Sequence, residues 1–460
     1  MDPLKLSPWL EYVMIARRFE LSMALWAVVL LGCAGESPTG DHAVTAADPV
    51  KKKPVAGSAV AKAAATEWSR FRGPDGAGST PAAKLPLTWS QSEHIAWKTP
   101  LPGAGASSAI VSGDHIYLTA YTGYGVPGEG GDLSQLKRHL LALSRTDGKI
   151  LWDKSIPAPL PEEEHIRDHG YAASTPAADA AGVVVFFGKS GVIAFDHQGV
   201  QQWQTSVGQK TNGWGSSASP VFYKDLVIIN ASVESDSLVA LNRKTGKEVW
   251  RAGGIKEAWN TPILVEAKGR TEVVVAIAGK ILAFDPVAGK ALWSCNTDIT
   301  WYMAPSMVSH NGVIYAIGGR SGITALAVRA GGSGDVTASH RLWTIKEGSN
   351  VSSPVFVDGH LYFVSDSQGI AYCVAGATGE VVYQERFERA GQFYASALLG
   401  SGRIYYLTRE GQAFVIAAQP QFKQLAKNDL SDRGVFDASP AVNGNQLLIR
   451  SDKFLYCVEE

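Results

Sequence analysis

The sequence predicts an all-β fold: an eight-bladed β-propeller of four-stranded antiparallel blades, closed by an N-terminal strand that completes the last blade. Three observations predict it. A stretch best seen at Ser217–Trp250 recurs: a small-residue-plus-Pro start, an apolar run, a turn, a second run, then Ala-Leu-Asn-Arg-Lys-Thr-Gly-Lys and a Trp. Its closing aromatics follow one another at intervals of 40–55 residues, near the length of a four-stranded blade. A lone strand around Trp97 at the start matches a missing strand at the end. Gly-rich composition, with Val, Ile, Tyr, Phe and Trp in short runs and few helical patterns, agrees.

The residues before the repeats read as targeting sequence. Arg17 and Arg18 precede an apolar run, Leu21–Leu31, broken by Ser22. That is too short to span a bilayer, which takes about 20 apolar residues. It leads into Leu30-Leu31-Gly32-Cys33-Ala34, which resembles a bacterial lipobox, so residues 1–33 are expected to be a signal peptide with lipidation at Cys33. Residues 34–66, rich in Ala, Pro, Lys, Thr and Gly, carry almost no large apolar side chain and are expected to form a flexible tether. The expected location is the periplasmic side of the envelope, lipid-anchored, with Ala34 pointing to the outer membrane.

The folded part, 67–460, opens with Trp68-Ser-Arg-Phe-Arg-Gly-Pro-Asp-Gly-Ala-Gly78. The strand around Trp97 follows, then seven units: Ala106–Trp152, Ala173–Trp203, Ser217–Trp250, Asn260–Trp293, Ala304–Trp343, Ser352–Tyr383, and Tyr394 to about Leu425. Asp437–Val458 supplies three apolar runs and lacks the fourth, which the Trp97 strand is expected to provide, leaving no open edge in the ring. Between third and fourth strands stands Asp/Asn-x-x-Thr/Ala-Gly-Lys, whose Gly supplies a positive φ. The Trp after it reads as packing between blades.

The repeat Ala-Phe-Asp285-Pro-Val-Ala-Gly-Lys-Ala-Leu-Trp293 and its siblings resemble the pyrroloquinoline-quinone (PQQ)-like β-propellers, over about residues 94–460. That family includes quinoprotein alcohol dehydrogenases and the BamB-type lipoprotein of the outer-membrane β-barrel assembly machinery. The opening Trp68-x-x-Phe71-Arg-Gly-Pro-Asp-Gly is similar to a subgroup of secreted propellers from planctomycete-like bacteria. The dehydrogenase resemblance implies PQQ against an adjacent Cys-Cys disulfide, a Ca²⁺ and an Asp base. The sequence has no Cys-Cys, and Cys295, Cys373 and Cys457 read as small core residues. No cofactor is therefore expected, and PQQ with Ca²⁺ is the alternative.

Propeller geometry puts on one face the residues that enter each inner strand. They are aromatic or amide in nearly every blade, and the facing turns are charged. The candidate ligand cup comprises His169, Tyr171, Lys189, Trp214, Trp259, Trp301, Tyr302, Arg320, Tyr394 and Asp437, with the Tyr121–Lys137 insertion on the same face. Close packing of these aromatics across the funnel is the competing interpretation. Gly123-Tyr-Gly125-Val-Pro-Gly128 matches a phosphate-loop pattern but precedes no helix. His165-Ile-Arg-Asp-His169 spaces two imidazoles as metal ligands only on a helix, and it reads as a loop. No Gly-x-Ser-x-Gly elbow occurs. A net charge of -1 gives no field for nucleic acid.

The functional expectation is a monomeric, non-catalytic binding or scaffold module of the envelope, for a protein partner or a small-molecule ligand. The alternative is an enzyme, either a PQQ-dependent dehydrogenase or one acting on carbohydrate in the aromatic cup.

Overall fold

A computed structural model describes residues 67–81, 84–167, 169–320 and 322–460, all within one compact unit. The predicted leader, Cys33 and the 34–66 tether lie outside the described residues. Eight antiparallel sheets follow one another around a ring. The first blade consists of Ile110–Ser112, His115–Thr122, Lys137–Ser144 and Ile150–Pro157, and the next six repeat this order. The eighth combines Ala441–Asn443, Gln446–Arg450 and Phe454–Val458 with Ile95–Pro100 from the other end of the chain. There Trp97 lies opposite Cys457 and Thr99 opposite Leu455. The predicted closure is thus the observed one.

The turns form for local reasons. Asn242 Oδ1 accepts from the backbone N–H groups of Lys244 (3.1 Å) and Thr245 (2.9 Å), and Gly246, at φ +68°, returns its N–H to the Asn242 carbonyl. A short polar side chain folds back on its own backbone and the glycine takes the left-handed position. Asp285 caps its turn in the same way.

Each closing aromatic packs in two directions. Within its blade it lies opposite a small residue of the third strand: Trp152 opposite Ala142, Trp250 opposite Ala240, Trp293 opposite Ala283. Cys373 and Cys457 occupy this same position opposite Tyr383 and Trp97, which explains two of the isolated cysteines as alanine substitutes in a packing site. Between blades, five of these rings lie under the turn glycine of the next blade. Trp97 sits beneath Gly148, Trp152 beneath Gly199, Trp203 beneath Gly246, Trp250 beneath Gly289 and Trp343 beneath Gly379. The indole N–H also crosses the gap, from Trp250 to the Pro286 carbonyl (3.1 Å) and from Trp343 to that of Gly376 (2.8 Å).

Two features were not expected. In blade four, Gly334–Asp335 adds a fifth, parallel strand against Ala291–Asn296, because the loop before the outer strand of blade five folds back over that edge. The Trp68–Gly78 stretch runs beneath the ring instead of forming a strand. The Trp68 carbonyl accepts from Val111 N–H and that of Ser69 from Ala178 N–H, while Gly78 pairs with Leu399 in blade seven. The buried Arg72 guanidinium donates to the carbonyls of Ala77 (2.8 Å) and Pro354. Burial lowers its pKa to about 9, which still leaves it charged at neutral pH.

Two glycine substitutions separate turn geometry from packing. A Cβ on Gly289 (φ +67°) would stand 2.6 Å from the Trp250 ring, whereas one on Gly444 (φ +63°) would meet nothing within 4 Å. Gly444→Ala is expected to cost only the left-handed penalty, about 1–2 kcal/mol. Gly289→Ala is expected to cost more, and Trp250→Ala about 3–5 kcal/mol. Denaturant midpoints of the three variants check this ordering.

Candidate functional site

Where the chain enters each inner strand, a hydroxyl side chain links one blade to the one before. Backbone N–H groups donate around the ring: Ser108 to Thr175 Oγ1 (2.9 Å), Thr175 to Ser219 Oγ, Ser219 to Thr261 Oγ1 and Thr261 to Ser306 Oγ (3.0 Å each). Ser306 then donates to Ser353 Oγ (3.0 Å), Ser353 to Ser396 Oγ (3.2 Å) and Ser396 to Ser439 Oγ (2.9 Å). These N–H groups lie beside the channel, where no sheet partner reaches them, and each would cost about 1–3 kcal/mol if left unpaired. The Ser/Thr-Pro start of the repeat therefore has a structural cause. The sequence displayed this signal, but only its small size was read from it.

Above this ring lies a cavity of about 540 Å³, floored in part by Phe71 from the segment beneath the ring. Of the predicted cup residues, His169, Trp214, Trp259, Tyr302, Arg320, Tyr394 and Asp437 line it. One wall is aromatic. Tyr302 lies 5.5 Å from both Trp214 and Trp259, the latter edge-on at 75°. The loops carrying these rings are tied to each other by Trp259 N–H to the Met303 carbonyl (2.7 Å) and Met303 N–H to that of Glu257 (2.8 Å). The Trp259 indole N–H bonds the Gly215 carbonyl (2.7 Å), which fixes the ring. On the other side, Asp437 forms an ion pair with Arg409 (2.7 and 3.1 Å), and that guanidinium stacks 4.1 Å from the Tyr394 ring. Asp366 accepts from Asn350 N–H (2.8 Å) and Ser349 Oγ (3.3 Å).

The other three predicted residues lie elsewhere. Trp301, 48 % exposed, does not line the cup but a shallow neighbouring depression shared with His165, Arg167, Trp214 and Tyr302. Tyr171 and Lys189 line a small polar void between the upper loops of blades one to three. Lys189 Nζ donates to the Pro161 carbonyl, and Tyr171 OH donates to that of Glu163 (2.7 Å). Among the cup residues that carried no such prediction are Phe71 and Arg167, the latter shown by the sequence only within the His-x-x-x-His pattern. His165 and His169 do not share a site, and among the described residues no group of three His, Cys, Asp or Glu gathers to hold a metal.

The polar void anchors the loop that delivers Arg167 and His169. Arg138 and Glu162 form a buried ion pair (2.6 Å), and Arg138 Nε holds the Tyr171 carbonyl (3.1 Å). Glu234, 2 % exposed, accepts from Ser216 Oγ. Burial pushes the Glu234 carboxyl up to about 7. A carboxyl whose folded pKa exceeds its unfolded value binds more protons when folded, so stability falls as pH rises from about 4.5 to 7. The loss is expected to reach about 3 kcal/mol across that window. Glu234→Gln should flatten the slope, as read from denaturant midpoints at pH 5 and 8.

A family model described as "Outer membrane protein assembly factor BamB" matches residues 87–258 and 260–385. A tetrathionate hydrolase of Acidithiobacillus ferrooxidans is 26% identical over 294 residues, covering 58% of this chain and 53% of that protein. The chain thus spans about half the length of that curated relative. Among solved structures, BamB from Moraxella catarrhalis superposes with a TM-score of 0.55 at 15% identity, over 79% of this chain and 98% of that one. The quinohemoprotein alcohol dehydrogenase of Comamonas testosteroni gives 0.59 at 12%, over 85% and 80%. A europium-containing methanol dehydrogenase gives 0.59 at 12%, over 84% and 89%. At these identities the likeness is one of fold.

Proposed function

Because the chain belongs to the PQQ-like propeller family described as outer membrane protein assembly factor BamB, we propose that it is a non-catalytic binding module of the bacterial envelope. In this reading it is tethered through Cys33 on the periplasmic side, at the outer membrane, and takes its ligand or partner segment in the cup. The observation that carries this reading is the cup itself. It is a cavity of about 540 Å³ with aromatic walls on rigid loops, within the 300–1,000 Å³ range of small-molecule sites. The exposed Trp301 beside it extends the aromatic surface outward.

A second reading is enzymatic, and its support is the likeness to quinoprotein dehydrogenases and to a tetrathionate hydrolase. The residues present do not fit a quinone with its calcium ion. Cys295, Cys373 and Cys457 are buried and lie in separate blades. Of the two carboxylates lining the cup, Asp437 is neutralised by Arg409 and Asp366 is capped by Ser349 and Asn350. No catalytic step is derived for it.

Two measurements test the binding reading. Cys33→Ser should move the full chain from the membrane to the soluble fraction. A photo-crosslinker at position 301, in envelope membranes, should capture a discrete adduct that Trp214→Ala reduces at least tenfold while circular dichroism is unchanged. Equal capture by Trp214→Ala would contradict the assignment of the cup. Substrate-dependent dye reduction with added PQQ and Ca²⁺, or consumption of tetrathionate, would favour the enzymatic reading.

A further inference from the structure

The charges around the cup are not equivalent. Arg409 is spent on Asp437, and Asp366 is capped from within the chain. Arg167 and Arg320 differ. Both are exposed, both line the cavity, and their guanidinium carbons lie 4.9 and 5.9 Å from the centre of one indole, that of Trp214. Neither side chain has a carboxylate partner among the described residues. They reach this ring from different parts of the fold, Arg167 from the link between blades one and two and Arg320 from the central turn of blade five.

Stacking on an aromatic face has a chemical consequence. It uses the flat face of the guanidinium and leaves the five N–H donors at its edge unspent, in the fork geometry that matches a carboxylate or sulfonate. Two cations drawn to one ring, neither with a carboxylate partner among the described residues, leave positive charge that a bound anion would offset. Trp214 and Tyr302 offer an apolar surface alongside, and the hydroxyl ring below offers only neutral polar groups.

From this the geometry points to a specific ligand class for the cup. It takes a small organic anion, whose carboxylate or sulfonate groups bind the edges of Arg167 and Arg320 while its apolar body lies against Trp214 and Tyr302. This assignment rests on the cup being the binding site proposed above. Arg167 also lines the depression beside Trp301, so one residue borders both the depression and the cup.

Isothermal titration of the full chain with adipate, butane-1,4-disulfonate, the neutral adipamide and maltose tests the assignment. The two dianions should bind saturably and more weakly as salt is raised, and adipamide at least tenfold more weakly. Arg167→Gln and Arg320→Gln should each raise the dianion Kd at least tenfold, with circular dichroism unchanged. Binding by one dianion alone would identify which of the two anions the site accepts. Equal affinity for adipate and adipamide, or no effect of either substitution, would overturn it. Maltose binding that depends on Trp214, without dianion binding, would overturn the anion assignment and leave the cup standing. No binding of any probe, together with Trp214-independent crosslinking from position 301, would overturn both.

Discussion

The structure depends on how each blade hides its outermost aromatic. A tryptophan on an edge strand would expose a large apolar ring, and in five of the blades it lies instead under the turn glycine of the next, while Trp293 bonds Glu272 and Tyr383 packs on Phe422. No blade is complete without its neighbour, so the series reaches an end only by returning to its start. The pairing of Ile95–Pro100 with Phe454–Val458 is the point of return, and Trp97 beneath Gly148 makes the same contact there as its siblings elsewhere. Ring closure and aromatic burial are one constraint.

That constraint builds the cup. Once the blades are fixed, the entries to the inner strands converge on the axis, and their unpaired N–H groups are met by hydroxyls of the following blade. The seven links from Ser108 to Ser439 form a rigid polar collar. Above it the loops are free to carry aromatic and charged side chains, because the collar and the sheets already hold the ring. Phe71 and Arg72 reach the axis from below, in a segment anchored to blades one, two, six and seven. The aromatic and charged side chains of the cup thus sit on a scaffold that does not depend on them.

The fold was legible because most blades repeat parts of one local chemistry: a capped Asp or Asn, a left-handed glycine, an aromatic. The cup was legible in part, since topology alone says which residues enter inner strands. It does not say which way a side chain turns. Trp301 and Tyr302 are adjacent, yet only Tyr302 lines the cavity. Lys189 is drawn aside by the Pro161 carbonyl, on a loop that no local pattern places next to it. The segment beneath the ring was illegible for a related reason: Arg72 meets Pro354, a contact 282 residues apart. Gly334–Asp335 lies in an insertion that the repeat does not contain.

The claim that the two chain ends close the ring is tested most directly by hydrogen exchange on the full chain. If closure holds the ring, the amides within 95–99 and 454–458 that bond across this pair exchange together, as slowly as the inner strands, through global unfolding alone. Exchange of those in 95–99 within seconds, while the blades stay protected, would contradict it.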